Sequence, residues 1–318
     1  MRWFAVLFGL LLASANVSAK DGQDTLDWLK VVAFAAHQTD YSGVFVYHYD
    51  DRVETSRITH VVEADGEHER LEGLDGPRRE VIRYRDQVWC YIDQKMVRVN
   101  NHAERGRFPS LLPERLSALR GNYHVREAGV ERVAGYSTQA ILFQPKDKLR
   151  YTHKIWVHTD SGLLLKATVL GDKNRQVEQY AFTQLQIGGN IDRSWIGSHL
   201  SYKPSASDQI DTDVPATNSG WVVDAMPAGF RKTAEVLRTM HGKRVKVTQL
   251  VYSDGLSAIS VFIEPSNSED EDNVRGLSSR GAMNLYYRVI GGNLITVVGE
   301  VPPRTVMQVL DSLRYNGK

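Results

Sequence analysis

The stretch Tyr41–Tyr49, YSGVFVYHY, restricts the fold more than any other part of this chain. After Gly43 it runs β-branched and aromatic, so it reads as a strand. Alternation puts Val44, Val46 and His48 on one face and Phe45, Tyr47 and Tyr49 on the other. A half-buried strand normally alternates apolar with polar residues; here both faces are apolar as far as His48, and both call for cover. A plain sandwich buries one face. A sheet packed on its outside that also curls round an apolar interior buries two. Residues 87–92 repeat the pattern, with Val88, Cys90 and Ile92 against Trp89 and Tyr91.

Around this strand the pattern is mostly β. A helix is expected over 26–39, capped by Asp24 or Thr25, with Leu29, Val32, Ala33 and Ala36 in one stripe. Strands are expected at 54–64, 67–73, 81–85, 87–92, 96–99, 125–132, 135–144, 151–158, 163–170 and 177–187, with a hairpin signal at Asp65-Gly66. Roughly ten or eleven strands in meander order describe one strongly curved antiparallel sheet, closed or nearly closed. Residues 109–119 interrupt them as a short helix carrying Leu111, Leu112, Leu116 and Leu119. That helix is either a lid on the sheet or an ordinary helix packed outside it.

Residues 1–19 read as a secretory signal: Arg2, an apolar run from Trp3 to Ala13, and Val17-Ser18-Ala19 before the expected cut. The mature chain, 318 − 19 = 299 residues, then carries 38 basic and 38 acidic side chains. Zero net charge argues against nucleic acid as a partner. Cys90 is the one cysteine, so no disulfide staples the chain and burial must hold it together.

Residues 203–220 change character, with 12 of 18 drawn from Pro, Ser, Thr, Asp, Asn and Gly. They read as a linker between domains 20–202 and 221–318, or as an ordered loop crossing a domain interface. The second domain is expected to be a small α+β unit, with strands at 230–239, 246–252, 257–264, 281–290 and 293–301 and a helix at 304–313. Asp254-Gly255 and Gly291-Gly292 mark tight turns.

No HExxH, GxSxG, P-loop or GxGxxG occurs, and the ten histidines are scattered. The expectation is a binding protein, not an enzyme, with no cofactor. Arg231, Lys232, Arg238, Lys243, Arg244 and Lys246 face one acid, Glu235, giving a local charge of +5. This patch suits an acidic protein or a lipid phosphate, unless it is simply a solvated face. Arg78, Arg79, Arg83 and Arg85 form a second basic cluster open to the same two readings, and Glu269–Asp272 reads as a solvated acidic loop.

Several motifs occur together in order. They are Tyr41-Ser42-Gly43-Val44-Phe45-Val46-Tyr47 after Asp27-Trp28-Leu29, Pro227-Ala228-Gly229-Phe230, and Ser253-Asp254-Gly255-Leu256-Ser257 with Ser260-Val261-Phe262. Val298-Gly299-Glu300-Val301-Pro302 completes the set. In this the chain resembles the RseB/MucB family, periplasmic regulators of the envelope-stress sigma factor sigma-E. The resemblance spans the mature chain; the acidic tract 266–273 lies off its pattern.

The resemblance implies a first domain like the periplasmic lipoprotein carriers of the LolA type: an unclosed antiparallel β-barrel with a helical lid over a hydrophobic cavity. Phe45, Tyr47, Trp89, Tyr91, Leu111, Leu112 and Leu116 are the expected lining. The second domain, with the +5 patch, would help bind the periplasmic region of an inner-membrane anti-sigma factor. The bound protein would shield that factor from site-1 proteolysis until a lipid-like signal such as lipopolysaccharide released it. No catalytic step is required, the location is the periplasm, and a homo-oligomer stays open. A periplasmic lipid or lipoprotein carrier is the alternative, against which the second domain counts. An enzyme with an acyl-binding barrel is the third reading.

Overall fold

A computed structural model describes residues 22–84, 87–92, 95–100, 107–113, 116–197, 214–215, 218–239, 246–266 and 275–317. The expected signal 1–19, most of the expected linker, Lys243, Arg244 and Glu269–Asp272 lie outside the described residues.

Strand β1 (Tyr41–Tyr49) is the middle strand of an eleven-stranded antiparallel sheet. One meander leads outward from it: β2 (Arg52–Glu63), β3 (Gly66–Gly73), β4 (Arg79–Tyr84), β5 (Gln87–Ile92) and β6 (Lys95–Asn100). The other half is β7 (Tyr123–Val133), β8 (Tyr136–Pro145), β9 (Thr152–His158), β10 (Leu164–Leu170) and β11 (Gln176–Ile187), and it joins the first through β11 against β1. The edge strands β6 and β7 do not pair with each other, so the sheet curves without closing.

Helix α1 (Gly22–Gln38) lays Leu29, Val32, Ala33 and Ala36 onto the concave face, in one core with Tyr41, Phe45, Ile58, Ile141 and Phe143. Among the described residues, no second layer covers the outer face of β1. Tyr41, Phe45 and Tyr49 are buried, whereas Ser42, Val44, Val46 and His48 are only half-buried. Their surroundings are the neighbouring strands; Ser42, for example, shares a 3.0 Å hydrogen bond with Thr59. A second layer does cover the outer face further along, where Ile191 and Trp195 pack on Val61, Ile82 and Trp89.

Gly43 is needed for close approach. The register between β1 and β11 shifts at Val44/Phe45, and a Cβ on Gly43 would stand 2.6 Å from the Gln184 carbonyl oxygen and 2.9 Å from the Phe182 ring. The Gly43→Val variant is therefore expected to lose about 1–3 kcal/mol through forced displacement of β11, read as a lower urea midpoint with unchanged slope.

The expected helix at 109–119 is shorter and later: α2 spans Ser117–Asn122. Pro109 and Pro113 explain the difference, since each biases the residue before it away from helical geometry. Leu111 and Leu112 consequently sit in an irregular lid segment, 107–113, ahead of the helix.

The second domain is a seven-stranded antiparallel sheet built from β12 (Val214–Pro215), β14 (Arg231–Thr239), β15 (Lys246–Ser253), β16 (Ala258–Pro265), β17 (Arg275–Arg280), β18 (Met283–Ile290) and β19 (Asn293–Gly299). Helix α3 (Pro303–Asp311) buries Val306, Val309 and Leu310 against Leu250, Ile259, Val261, Ile295 and Val297. A short ribbon of β13 (Trp221–Val223) and β20 (Leu313–Tyr315) ties the entry of the domain to its end. Val214–Pro215 pairs with Val236 and Leu237, so part of the expected linker is already a strand of this sheet.

Candidate functional site

The lid closes over β1. Phe108 sits 5.1 Å from Phe45, 5.0 Å from Phe182 and 5.5 Å from Tyr180, centroid to centroid. Leu112, Leu116 and Leu119 are buried in the same core, and Leu111 packs against it. A polar latch fastens the lid to α1 and the sheet. Ser110 Oγ lies 2.8 Å from His37 Nε2, His37 Nδ1 lies 2.9 Å from Glu67 Oε2, and His60 Nε2 lies 3.2 Å from the same oxygen. Burial opposes the charge on Glu67, but the hydrogen bonds to His37 and His60 prevail and bring its carboxyl down to about 2.

On its other side the lid meets the second domain. The turn between β15 and β16 reaches over it: a Cβ at Gly255 would stand 3.2 Å from Leu119 Cδ2 and 3.3 Å from Pro113 Cγ. Leu256 packs into the barrel core itself. Leu119 is thus touched from below by the half-barrel and from above by the second domain.

Beside that contact lies a buried ion pair. Arg150 Nε donates to Asp254 Oδ2 at 2.6 Å, and both side chains are fully buried. Tyr123 donates its hydroxyl to the same oxygen at 2.9 Å. The backbone N–H groups of Leu256 and Ser257 donate to Asp254 Oδ1 at 3.0 and 2.8 Å. Arg150 also donates to Asp147 and to the Ala228 carbonyl, and its guanidinium stacks on Phe230. Burial works against the Arg150 charge and Asp254 more than offsets it.

A second contact between the domains lies at the end of β1. Glu178 Oε2 accepts from Tyr47 Oη at 2.9 Å and from the Ala282 N–H at 3.0 Å. Arg280 donates to Tyr49 Oη at 2.7 Å and to Glu54 at 3.0 Å. Gly281 has φ +55°, and a Cβ there would stand 2.7 Å from Glu178 Oε2, so the turn between β17 and β18 fits this seat only with glycine.

His153 is fully enclosed near the first contact. Burial pushes its imidazole down to about 4, against a smaller opposing pull from Asp254. The folded state therefore holds His153 neutral while the unfolded state takes up a proton below about pH 6.5. Stability is expected to be lost as pH falls from 6.5 towards 4, seen as a declining thermal midpoint that His153→Gln flattens over that window. Among the described residues, no three His, Cys, Asp or Glu side chains are placed to share a metal ion.

Comparison with known proteins fits this architecture on both sides of the contact. The MucB/RseB N-terminal domain model matches residues 24–200, and the MucB/RseB C-terminal domain model matches 215–314. The chain belongs to the MucB/RseB family. It is 32% identical to the sigma factor AlgU regulatory protein MucB of Pseudomonas aeruginosa, over 97% of this chain and 96% of that protein. It is 25% identical to the sigma-E factor regulatory protein RseB of Escherichia coli K12, over 98% of each. The solved complex of P. aeruginosa MucA with MucB superposes with a TM-score of 0.73 at 31% identity, covering 93% of this chain and 100% of that one.

Within this MucB/RseB chain the expected lining residues separate into two groups. Phe45, Leu111, Leu112 and Leu116 come together under the lid. Tyr47 shares their face of β1, but its hydroxyl is committed to Glu178 at the domain contact. Trp89 and Tyr91 do not join them. The pairing Ser42–Thr59–Arg70–Ile82–Trp89 places Trp89 on the outer face, under Trp195, and Tyr91 points the same way. Their neighbours Val88 and Cys90 face inward instead.

The expected basic patch is also divided. Arg231 and Lys232 are exposed but, as successive strand residues, point to opposite faces; Arg238 and Lys246 pair at adjacent rungs and are likewise split. Lys232 is held by Glu235 at 2.6 Å. Sequence reasoning missed Arg150, and it took Asp254 only as a turn residue, although Asp254-Gly255 was among the motifs that carried the family resemblance.

Proposed function

We propose that this chain is a periplasmic regulator of a sigma-E-type stress response. It binds the periplasmic region of a membrane-spanning anti-sigma factor, shields that region from site-1 proteolysis, and lets go when a lipid-like signal such as lipopolysaccharide binds. The reading is carried by the likeness, across both domains, to MucB in its complex with MucA. Among the described residues no helix is long and apolar enough to cross a membrane, which accords with a partner that supplies the anchor.

The lid supplies the coupling. An acyl chain entering between the lid and the concave face displaces Phe108 and Leu112 from Phe45, and through Leu119 it presses on the turn at Gly255. Partner and lipid then favour different arrangements of the two domains, and each weakens the other's binding. Binding energy alone drives the exchange, and no catalytic step is called for.

The test is proteolysis of the anti-sigma factor's periplasmic fragment by the site-1 protease. The full mature protein is expected to slow cleavage, and added lipopolysaccharide to restore it. Unslowed cleavage at a concentration that saturates binding removes the shielding role. A carrier of lipid or lipoprotein, the alternative, binds lipid without any effect on cleavage.

A further inference from the structure

The two domain contacts enclose a titratable side chain between them. Across the concave face one rung runs Phe143, His153, Val169 and Glu178, from β8 to β11. On one side of His153, Tyr123 meets the imidazole edge to face at 6.4 Å and gives its hydroxyl to Asp254 of the second domain. On the other side, Val169 packs with Tyr151 against Ala282, whose N–H donates to Glu178. The second domain therefore rests on both sides of His153.

A proton on this imidazole has nowhere to go while the domains are docked. Nε2 is buried with no hydrogen-bond partner. Asp254 is the carboxylate that pulls on the ring, but both its oxygens are taken. Oδ2 accepts from Arg150 and Tyr123, and Oδ1 accepts from the N–H groups of Leu256 and Ser257. The neighbours on the adjacent strands, Phe143 and Val169, are apolar. In the loop after β8, Asp147 is paired with Arg150, and Glu178 lies one strand beyond Val169. An imidazolium here would face the Arg150 cation without an acceptor of its own.

We propose that His153 makes the docking of the second domain acid-sensitive: a proton taken up there frees the turn at Asp254–Ser257, and acidification becomes a second signal that releases the bound anti-sigma segment. The proposal rests on the partner-binding reading above and adds a signal that needs no lipid. Docked, the ring is held neutral down to about 4; with the turn displaced it meets water and titrates near its ordinary 6.5. The displaced state therefore gains on the docked one as pH falls from 6.5 towards 4. Glu178 works the other way. Burial raises its carboxyl despite the hydrogen bonds from Ala282 and Tyr47, so acid favours its contact with Ala282. Acid loosens one contact and keeps the other, and the second domain swings about Glu178 instead of detaching.

The experiment is hydrogen–deuterium exchange on the full mature protein at about pH 7.5 and about pH 5, corrected for intrinsic exchange. The affinity of the anti-sigma fragment is measured at the same two values. Peptides over Leu256 and Ser257 are expected to exchange on the order of tenfold faster in acid while Ala282 keeps its protection, and fragment binding to weaken by a similar factor. His153→Gln is expected to remove both responses. His153→Leu, which cannot titrate either, gives the same test where glutamine disturbs folding, and a cooperative melt qualifies each variant.

Protection at Leu256 and Ser257 that ignores pH, or an acid loss that persists in both variants, overturns the proposal. Equal loss at both turns marks acid unfolding and also overturns it. A fragment affinity that stays constant while the turn opens overturns the release role. If the turn responds as expected but the fragment binds at neither pH, the acid-sensitive docking stands and the partner-binding reading falls.

Discussion

Asp254→Ala is expected to cost about 3–5 kcal/mol, the effect of removing one member of a buried ion pair. The loss has three parts. Arg150 keeps a fully buried charge without its main counterion. Tyr123 loses the acceptor of its hydroxyl. The turn loses the carboxylate oxygen that satisfies the backbone N–H groups of Leu256 and Ser257. Because the partners lie 104 residues apart, on different domains, the expected outcome is a separation of the domains as well as a loss of stability. Urea unfolding monitored by tryptophan fluorescence is expected to split into two transitions, with new proteolytic cleavage near the lid. A single transition within about 0.5 kcal/mol of wild type, the range of an ordinary surface substitution, contradicts the role given to the pair. A control separates charge from packing. Arg150→Met with Asp254→Leu removes both charges and is expected to cost less than Asp254→Ala alone, because no charge is stranded.

Leu119→Ala is expected to cost about 2–5 kcal/mol, since the residue is completely buried and packed from two sides. Its functional effect is the more telling. In the coupling described above, Leu119 transmits displacement of the lid to the turn at Gly255. The variant is expected to bind both lipid and anti-sigma fragment while losing most of the weakening that each exerts on the other. Fragment affinity measured with and without lipopolysaccharide checks this. A response as large as wild type's shows that coupling travels elsewhere, for example through Glu178 and the Gly281-Ala282 turn.

The seat of β1 shows what a sequence discloses and what it withholds. Its strand character follows from local chemistry, and so do the hairpins at Asp65-Gly66 and Gly291-Gly292; the inward turn of Phe45 and the close approach at Gly43 do not, because they depend on the strands that β1 meets. The small α+β domain is legible in the strand and helix pattern of residues 221–318, and the unclosed sheet in the family resemblance. The half-buried outer face of β1 was not legible, because whether an apolar strand face receives a second layer depends on segments far away, here 188–197, which chose β2 to β5 instead. For the same reason alternation within β5 separated Trp89 from Cys90 without saying which of them faces in. Strand β17, RGLSSR, has no apolar alternation to betray it and owes its place to pairing with β18. Arg150 carried no local signal at all; its role arises only when two domains meet.

Tyr41–Tyr49 therefore does more than divide the half-barrel into two meanders. Phe45 receives the lid near its middle, and Tyr47 and Tyr49 reach the second domain at its end. One strand touches both the core under the lid and the domain contact, which is where the proposed coupling between lipid and partner is expected to act.

The most direct measurement is the dissociation constant of the anti-sigma factor's periplasmic fragment for the full mature protein, titrated at increasing lipopolysaccharide, together with the reverse titration. Negative coupling predicts that lipopolysaccharide weakens fragment binding by about 5- to 150-fold, and that saturating fragment weakens lipopolysaccharide binding by the same factor. If the two ligands bind together with unchanged affinities, or if the fragment does not bind at all, the account of this protein as a lipid-released regulator is contradicted.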